Sequence, residues 1–300
     1  MGDISAVSLA VGDLRAGFLP SSGMLGASLQ YCGQELLRRI DDLEAAKQKG
    51  GTAGIPLLYP WANRLGALHY RVAGQDVNLD PTSPFLHFDD HGLAMHGVPW
   101  GQLSWIVNEV RQDYLHARLD WKRPELLAVF PYPHRLEITA GLSPTSLQLR
   151  TEVAADSQSA VPISFGFHPY FGIPGLARAQ WRLQLPAMKQ LQLDQRGIPT
   201  GASTSFEPFD SLLGQDSFDD GFALPNEKAS FSLSGGGWNI TIHFLHGFPY
   251  AQVFAPLGKE FIALEPMTAP VNALISGDRL RILESGGRFH ASFRIDVHSH

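Results

Sequence analysis

The sequence predicts an all-β protein, a large antiparallel β-sandwich with at most one or two short helices, and three observations support this prediction. Aromatic or aliphatic residues alternate with polar ones along most of the chain, which is the pattern of half-buried strands. The 30 glycines and 21 prolines are spread evenly, as expected of many strands joined by tight turns. No part of the chain alternates helix and strand patterns, so a parallel α/β sheet is not expected.

The strand pattern is clear in several segments. Residues 70–79 are predicted to form two short strands around a turn at Gly74, and residues 134–153 a hairpin that turns at 143–145. Further strands are predicted at residues 181–185, 231–234, 238–244 and 251–254. One helix is predicted from Asp41 to Lys49, because Asp41 is suited to cap its N-terminus and two glycines follow its C-terminus. With no linker-like segment and no internal repeat, we expect one domain over residues 1–300.

The composition narrows the classes of partner. A formal charge of −6 with no block of Lys or Arg disfavours a surface for nucleic acids or anionic membranes. Cys32 is the single cysteine, which leaves no disulfide framework and no thiolate metal cluster. No N-terminal signal pattern and no apolar run of membrane-spanning length occur. We therefore expect a cytoplasmic, soluble protein, a monomer or homodimer, that acts on a small neutral molecule.

Two segments each place one proton-transfer group in an apolar stretch marked by proline. His168 begins the segment His-Pro-Tyr-Phe, and Glu265 lies in Leu-Glu-Pro-Met-Thr. A histidine titrates near neutral pH, and burial raises the pKa of a carboxyl group toward the same range, so the two residues suit an acid and a base. Taken alone, each residue is more typical of a structural role, the histidine in the core and the glutamate at a strand end, and the neighbouring motifs favour the catalytic interpretation.

Four further segments combine polar residues with apolar surroundings, and each of them alone fits an ordinary turn or solvated loop. They are residues 59–66 with Asn63 and Arg64, residues 95–97 with His96, residues 192–201, and residues 218–222 with Asp219 and Asp220.

Neither a G-x-G-x-x-G motif after a strand nor a P-loop is present, so the sequence gives no indication of a nucleotide site.

The order of the six segments, P-x-x-N-R, H-G, H-P-Y-F, I-P-T-G, D-x-x-F and E-P-M-T, resembles the aldose 1-epimerase (galactose mutarotase) family over about residues 55–275. The resemblance implies a galactose mutarotase-like supersandwich whose cleft binds a pyranose sugar. It also implies that the protein interconverts the α and β anomers of this sugar with no cofactor and no metal.

The resemblance further implies a role for each matching residue. It implies that His168 is the general acid and Glu265 the general base. It implies that His96 makes a second contact to the ring oxygen or a hydroxyl, and that Arg64, beside Asn63, is the sugar-binding arginine. Asp219 is implied to be the aspartate that binds a hydroxyl, with Asp220 as the competing choice. An aromatic residue among Trp61, Phe165 and Tyr170 is expected to stack on the sugar face.

Other functions fit parts of the same pattern. Asp89, Asp90, His91 and His96 are a candidate metal set for a hydrolase, and Glu265 with Asp219 are candidate carboxylates of a glycoside hydrolase. A carbohydrate-binding module without catalysis and a hexose-6-phosphate 1-epimerase are further alternatives. The phosphorylated sugar needs an additional cation, for which Lys189, Arg196 and Lys259 are the uncommitted candidates, so a neutral hexose is expected to be preferred.

Overall fold

The structure is a computed structural model that describes residues 6–39 and 52–299. The helix predicted from Asp41 to Lys49 lies outside the described residues. Within them, 25 strands dominate and only two short α-helices occur, α1 (Pro124–Val129) and α2 (Ala273–Ser276). In the same part of the chain no helix is long and apolar enough to cross a lipid bilayer. The prediction of an all-β fold is therefore confirmed.

Two large antiparallel sheets form the body of the molecule. The nine-stranded sheet has the order β18-β15-β20-β21-β25-β11-β10-β9-β8. Its strands are β8 (Ile106–Val110), β9 (Tyr114–Trp121), β10 (His134–Leu142), β11 (Ser146–Ala155), β15 (Arg182–Leu185), β18 (Phe209–Leu212), β20 (Ala229–Gly235), β21 (Trp238–His246) and β25 (Arg288–Ser299).

The eight-stranded sheet has the order β17-β16-β19-β22-β23-β13-β5, and β14 pairs with β23 beside this path. Its strands are β5 (Leu57–Leu58), β13 (Gly166–Phe167), β14 (Tyr170–Phe171), β16 (Met188–Leu193), β17 (Pro199–Phe206), β19 (Phe218–Ala223), β22 (Tyr250–Ala255) and β23 (Ile262–Met267).

Three smaller sheets and three 3-10 turns complete the described structure. The small sheets consist of β1 (Val7–Val11), β2 (Leu14–Leu19), β3 (Leu25–Tyr31) and β4 (Gln34–Glu35); β6 (His69–Val72) and β7 (Gln75–Asn78); and β12 (Val161–Ile163) and β24 (Arg281–Leu283). The 3-10 turns are Trp100–Gln102, Arg178–Gln180 and Pro225–Glu227. The hairpins predicted at residues 70–79 and 134–153 are both confirmed.

The two large sheets pack face to face over an aromatic core. Phe167 of the eight-stranded sheet contacts Phe293 of the nine-stranded sheet, with 5.1 Å between their ring centroids. Buried and more exposed residues alternate along β10, so one face of that strand lines the core. Burial of each such large apolar side chain stabilises the fold by about 2 kcal/mol.

One face of the eight-stranded sheet lines this core, and the register of its strands shows which residues share the other face. Gln252 of β22 pairs with Glu265 of β23 on one side and with Gly221 of β19 on the other, so these three residues lie side by side across the sheet. Their neighbours Val253 and Leu264 point to the opposite face and are fully buried in the core. The face that carries Glu265 is therefore the one that can hold a site.

Candidate active site

His168 and Glu265 lie together at the centre of the eight-stranded sheet. Gly166 of β13 pairs with Met267 and Tyr170 of β14 pairs with Ala263, so the break between β13 and β14 places His168 opposite Glu265. The distance from His168 Nε2 to Glu265 Oε1 is 3.1 Å, and the two side chains are only 6% and 2% exposed. The structure thus brings together the two residues that the sequence singled out for proton transfer.

Burial shifts both groups toward their uncharged forms. Burial raises the pKa of Glu265 well above its ordinary value; nearby Asp219 raises this pKa further, and Arg64 lowers it. Burial lowers the pKa of His168, and the positive charge of the neighbouring Arg38 acts in the same direction. At 3.1 Å the two groups can share one proton, and the neutral arrangement differs from the ion pair only by the position of that proton.

Tyr170 fixes the plane of the His168 ring. The two rings stack with centroids 4.2 Å apart and an interplanar angle of 13°. The Tyr170 hydroxyl lies 3.2 Å from His168 Nε2 and 2.5 Å from Thr52 Oγ1. The expectation that Trp61 or Phe165 stacks on a sugar is wrong, because both side chains are buried in the core between the sheets.

His96 is held as a neutral hydrogen-bond donor beside this pair. Its Nδ1 accepts a hydrogen bond from the backbone N–H of Asn63 at 3.2 Å, which leaves the proton on Nε2. Burial lowers the pKa of His96 to about 3, with smaller contributions from His87 and Arg64, so the ring stays uncharged at neutral pH. The ring meets that of His168 edge to face at a centroid distance of 5.5 Å.

Arg64 is oriented by its neighbours. Its Nε donates a hydrogen bond to Asp89 at 2.6 Å, and its Nη1 donates one to the side chain of Asn63 at 3.2 Å. The tip of the β16–β17 hairpin covers the same group, because a Cβ placed on Gly197 would lie 2.8 Å from Nη1. Arg64 is close enough to Glu265 to lower the pKa of that carboxyl group.

Of the two candidate aspartates, Asp219 lies near the pair. It pairs with Phe254 on the sheet face that carries Glu265, and it raises the pKa of Glu265. Its Oδ1 accepts a hydrogen bond from Gln252 Nε2 at 2.8 Å. Asp220 points to the other face of the strand, where it accepts a hydrogen bond from Gln190 at 2.7 Å.

Gln252 is a site residue that the sequence reasoning missed. Its side chain is 2% exposed and lies beside Glu265, and its Oε1 has no hydrogen-bond partner among the described residues. Because a buried amide oxygen without a partner is costly, its position favours a polar ligand. The signal available in the sequence was a single polar residue inside the apolar strand segment 250–255.

The remaining predicted residues have other contacts. Asp89 binds Arg64, and the described part of the chain contains no group of three or more side chains able to share a metal ion. Arg196 pairs with Asp194 at 3.3 Å. A cation that the sequence reasoning overlooked is Arg38, whose guanidinium lies 4.6 Å from the ring centroid of Phe261 at the edge of the site.

A cavity of about 730 Å³ lies farther along the same strands. Its lining includes Lys189, one of the candidate cations for a phosphorylated sugar, but neither of the residues predicted for acid–base chemistry and none of those predicted to hold the sugar hydroxyls. We therefore place the candidate active site at His168 and Glu265, where an acid and a base lie within hydrogen-bonding distance of each other.

Comparison with known proteins identifies the family of this chain and agrees with its fold. The family model for aldose 1-epimerase matches residues 27–296. The chain therefore belongs to the aldose 1-epimerase family.

Individual relatives are distant in sequence. The uncharacterized protein YihR of Escherichia coli K12 is 24% identical over 311 aligned positions, which cover 96% of this chain and 92% of YihR. The crystal structure of a galactose mutarotase-like protein from Clostridium acetobutylicum matches with a TM-score of 0.85 at 19% identity, covering 98% of this chain and 95% of that one. An aldose epimerase homologue from Caenorhabditis elegans matches with a TM-score of 0.80 at 16% identity, covering 98% and 99% of the two chains. These structures establish a galactose mutarotase-like fold.

Proposed function

We propose that the protein interconverts the α and β anomers of an aldohexose of the glucose or galactose type by acid–base ring opening and reclosure. The observation that carries the proposal is the buried pair of His168 and Glu265, with 3.1 Å between Nε2 and Oε1. Opening a cyclic hemiacetal requires a base at the anomeric hydroxyl and an acid at the ring oxygen. Membership of the aldose 1-epimerase family supports the same reaction.

In the proposed mechanism, Glu265 takes the proton of the anomeric hydroxyl while His168 donates a proton to the ring oxygen. The bond between C1 and the ring oxygen breaks, and the anomeric hydroxyl becomes an aldehyde. Rotation about the bond between C1 and C2 presents the other face of the aldehyde, and reclosure with reversed proton transfers yields the other anomer. The reaction transfers protons and breaks and re-forms one C–O bond, with no net oxidation and no transferred group, so the proposal includes no cofactor.

The charges of the pair suit this cycle. The reactive form has a charged Glu265 and a protonated His168, and it carries the same single proton as the neutral form that burial favours. A proton therefore moves from Glu265 to His168 before the sugar reacts. Arg64, whose charge lowers the pKa of Glu265, favours this transfer.

The surrounding polar groups are assigned to the sugar hydroxyls. Arg64, Asn63 and Asp219 hold the hydroxyls, and the Nε2–H of His96 donates a hydrogen bond to a sugar oxygen. Gln252 joins this group, since it pairs with Glu265 across the sheet and its Oε1 has no partner in the described residues. Each assignment uses a polar atom that is fixed by a neighbouring side chain or strand.

Polarimetry of freshly dissolved α-glucose and α-galactose tests the proposal. The protein should accelerate the approach to the equilibrium rotation, in the presence of EDTA as in its absence. A rate equal to that of the buffer for a broad set of aldoses would contradict the proposal. Binding of a sugar without anomer exchange in NMR exchange spectroscopy would instead identify a carbohydrate-binding protein.

A hexose-6-phosphate 1-epimerase is the second candidate, and Arg38 is the observation that favours it. The guanidinium of Arg38 lies 5.6 Å from the ring centroid of Tyr170, which stacks on His168. The C6 substituent is attached next to the ring oxygen that His168 would protonate, so a phosphate there would lie on the His168 side. Neutral sugar remains our expectation, because a dianion removed from water needs more than one exposed cation.

A comparison of substrates separates the two candidates. We expect kcat/KM to be higher for glucose or galactose than for glucose 6-phosphate. A tenfold advantage for the phosphorylated sugar that Arg38→Ala abolishes would assign the protein to the second candidate.

A further inference from the structure

Arg64 is held from three directions in front of the catalytic pair. Asp89 accepts its Nε–H at 2.6 Å, Asn63 accepts one Nη1–H at 3.2 Å, and Gly197 packs against Nη1. These contacts use two of the five N–H bonds of the guanidinium. Among the described residues, both Nη2 hydrogens and one Nη1 hydrogen have no acceptor and remain for a ligand, and their direction is set by the groups that hold the other side.

Asp89 is itself fixed in its loop. Its Oδ1 accepts the backbone N–H groups of His91 and Leu93, both at 2.9 Å, while its Oδ2 accepts the Nε–H of Arg64. Burial opposes ionisation of Asp89, but these hydrogen bonds outweigh it and hold its pKa below the ordinary value. The carboxylate side chain is only 8% exposed, so the ion pair with Arg64 is shielded from water.

We propose that Asp89 is a positioning residue of the sugar cleft, which fixes the direction of the Arg64 guanidinium and partly offsets its charge in front of Glu265. The inference rests on the function proposed above. Asp89 does not touch the reacting atoms in this proposal; it acts through Arg64.

Several other charged or titratable groups contribute to the same field. His87 faces Asp89. The groups that face Glu265 or its partner His168 are Asp219 on β19, Arg64 and His96 on their loops, Tyr170 on β14, and Arg38 after β4. All of them remain in a variant that changes only Asp89. A shift of the pH profile in that variant is therefore attributable to the lost charge of Asp89 and to its effect on Arg64.

Asp89→Asn is the informative substitution because both carboxylate oxygens act as acceptors. The amide oxygen of Asn can keep the two backbone hydrogen bonds that close the loop, but the NH2 group then faces the Nε–H of Arg64, and two donors repel. Arg64 loses its anchor while the loop stays closed. The loss of one negative charge also removes the carboxylate that partly offsets the positive charge of Arg64.

Two measurements test the proposal. In kinetics, Asp89→Asn should raise KM about tenfold, as expected when the hydrogen bonds that orient a binding group are lost. It should also move both limbs of the pH profile of kcat/KM to lower pH by about half a unit, since removing a nearby negative charge lowers the pKa values of the pair. In ¹H–¹⁵N spectra, the Nε–H of Arg64 should lose its downfield position and its protection from exchange with water.

Asp210→Asn is the matched control. Asp210 accepts the Nε–H of Arg182 at 2.7 Å in a similar pair, but on the nine-stranded sheet and with both side chains about half exposed. This variant should leave KM and the pH profile unchanged.

The outcomes separate this proposal from the proposed function. An unchanged Arg64 Nε–H signal in Asp89→Asn, or an unchanged KM and pH profile in an active enzyme, overturns the role of Asp89. If the wild-type protein shows no mutarotation, the proposed function is overturned. If the Arg64 signal still depends on Asp89 in that case, the positioning of Arg64 by Asp89 is established nevertheless.

Discussion

The strongest test of the acid–base assignment is whether His168 and Glu265 behave as one unit. His168→Asn and Glu265→Gln should each lower kcat by about 10²-fold or more, because each removes a positioned proton-transfer group. If the two groups acted independently, the double variant would lose about 10⁴-fold or more. The 3.1 Å contact implies instead that they share one proton, so either substitution alone disables the proton exchange.

The double variant should therefore lose about as much activity as the more affected single variant. Mutarotation of α-galactose and α-glucose followed by polarimetry gives the four rates, and circular dichroism checks the fold of each variant. His116 and Glu137 form the matched control, with the same 3.1 Å separation of Nε2 and Oε2 on the other sheet and partly exposed side chains. His116→Asn and Glu137→Gln should leave the rates unchanged.

Two results would refute the reasoning. A double variant whose loss equals the product of the single losses would show that the groups do not share a proton. Near wild-type turnover of His168→Asn together with an inactive His96→Asn would transfer the role of the acid to His96.

Three further predictions address stability, the floor of the cleft and the choice of aspartate. Because burial lowers the pKa of His134 from 6.5 to about 4, its stabilising contribution is complete above about pH 6.5 and is lost as pH falls toward 4. Urea unfolding should show that the free energy of unfolding at pH 5 is about 2 kcal/mol lower than at neutral pH on account of this residue. The free energy of unfolding of His134→Gln should depend less on pH than that of the wild type. An equal dependence contradicts the assignment. Gly221→Ala should raise KM several-fold with little change in Tm, since the new Cβ would lie 3.2 Å from Gln252 Oε1. An unchanged KM would mean that Gln252 does not hold the sugar. Asp219→Ala should raise KM clearly more than Asp220→Ala, because only Asp219 lies on the face that carries Glu265, and the reverse order would show that Asp220 contacts the sugar.

The sequence predicted strands correctly where apolar and polar residues alternate regularly, because one face of such a strand lies in the core and the other is more exposed. Along His134–Leu142 every second residue is buried, and the hairpin with Ser146–Ala155 follows directly. Helix α1 was missed because its six residues are too few to show a helical period, although Pro124 at its first turn and Glu125 beside it are typical of a helix start.

His168 and Glu265 were singled out because each lies in a short motif with an unusual combination of charge and apolar neighbours, and the structure places the two side chains together. Gln252 and Arg38 were missed for the opposite reason. A single glutamine in a strand and an arginine outside any motif look ordinary, and only the pairing of β22 with β23 and the packing of Arg38 on Phe261 place them near the site. Trp61 and Phe165 were misjudged because proximity to a motif in sequence does not show which face of the sheet a side chain occupies.

Gly197 lies against Arg64 at the tip of the β16–β17 hairpin, and this tip has more freedom to change than the strands that carry Glu265. Glu265, Gln252 and Gly221 lie side by side on inner strands whose opposite face forms the core, so the packing of the sandwich fixes the position of their backbone. The tip of the β16–β17 hairpin instead belongs to the edge of the sheet, and most of β17 is exposed. A changed sequence at this tip would alter the contact with Arg64, while Glu265 and its neighbours on the inner strands keep their places. Under the function proposed above, the hairpin is therefore the segment at which to begin when redesigning the choice of sugar.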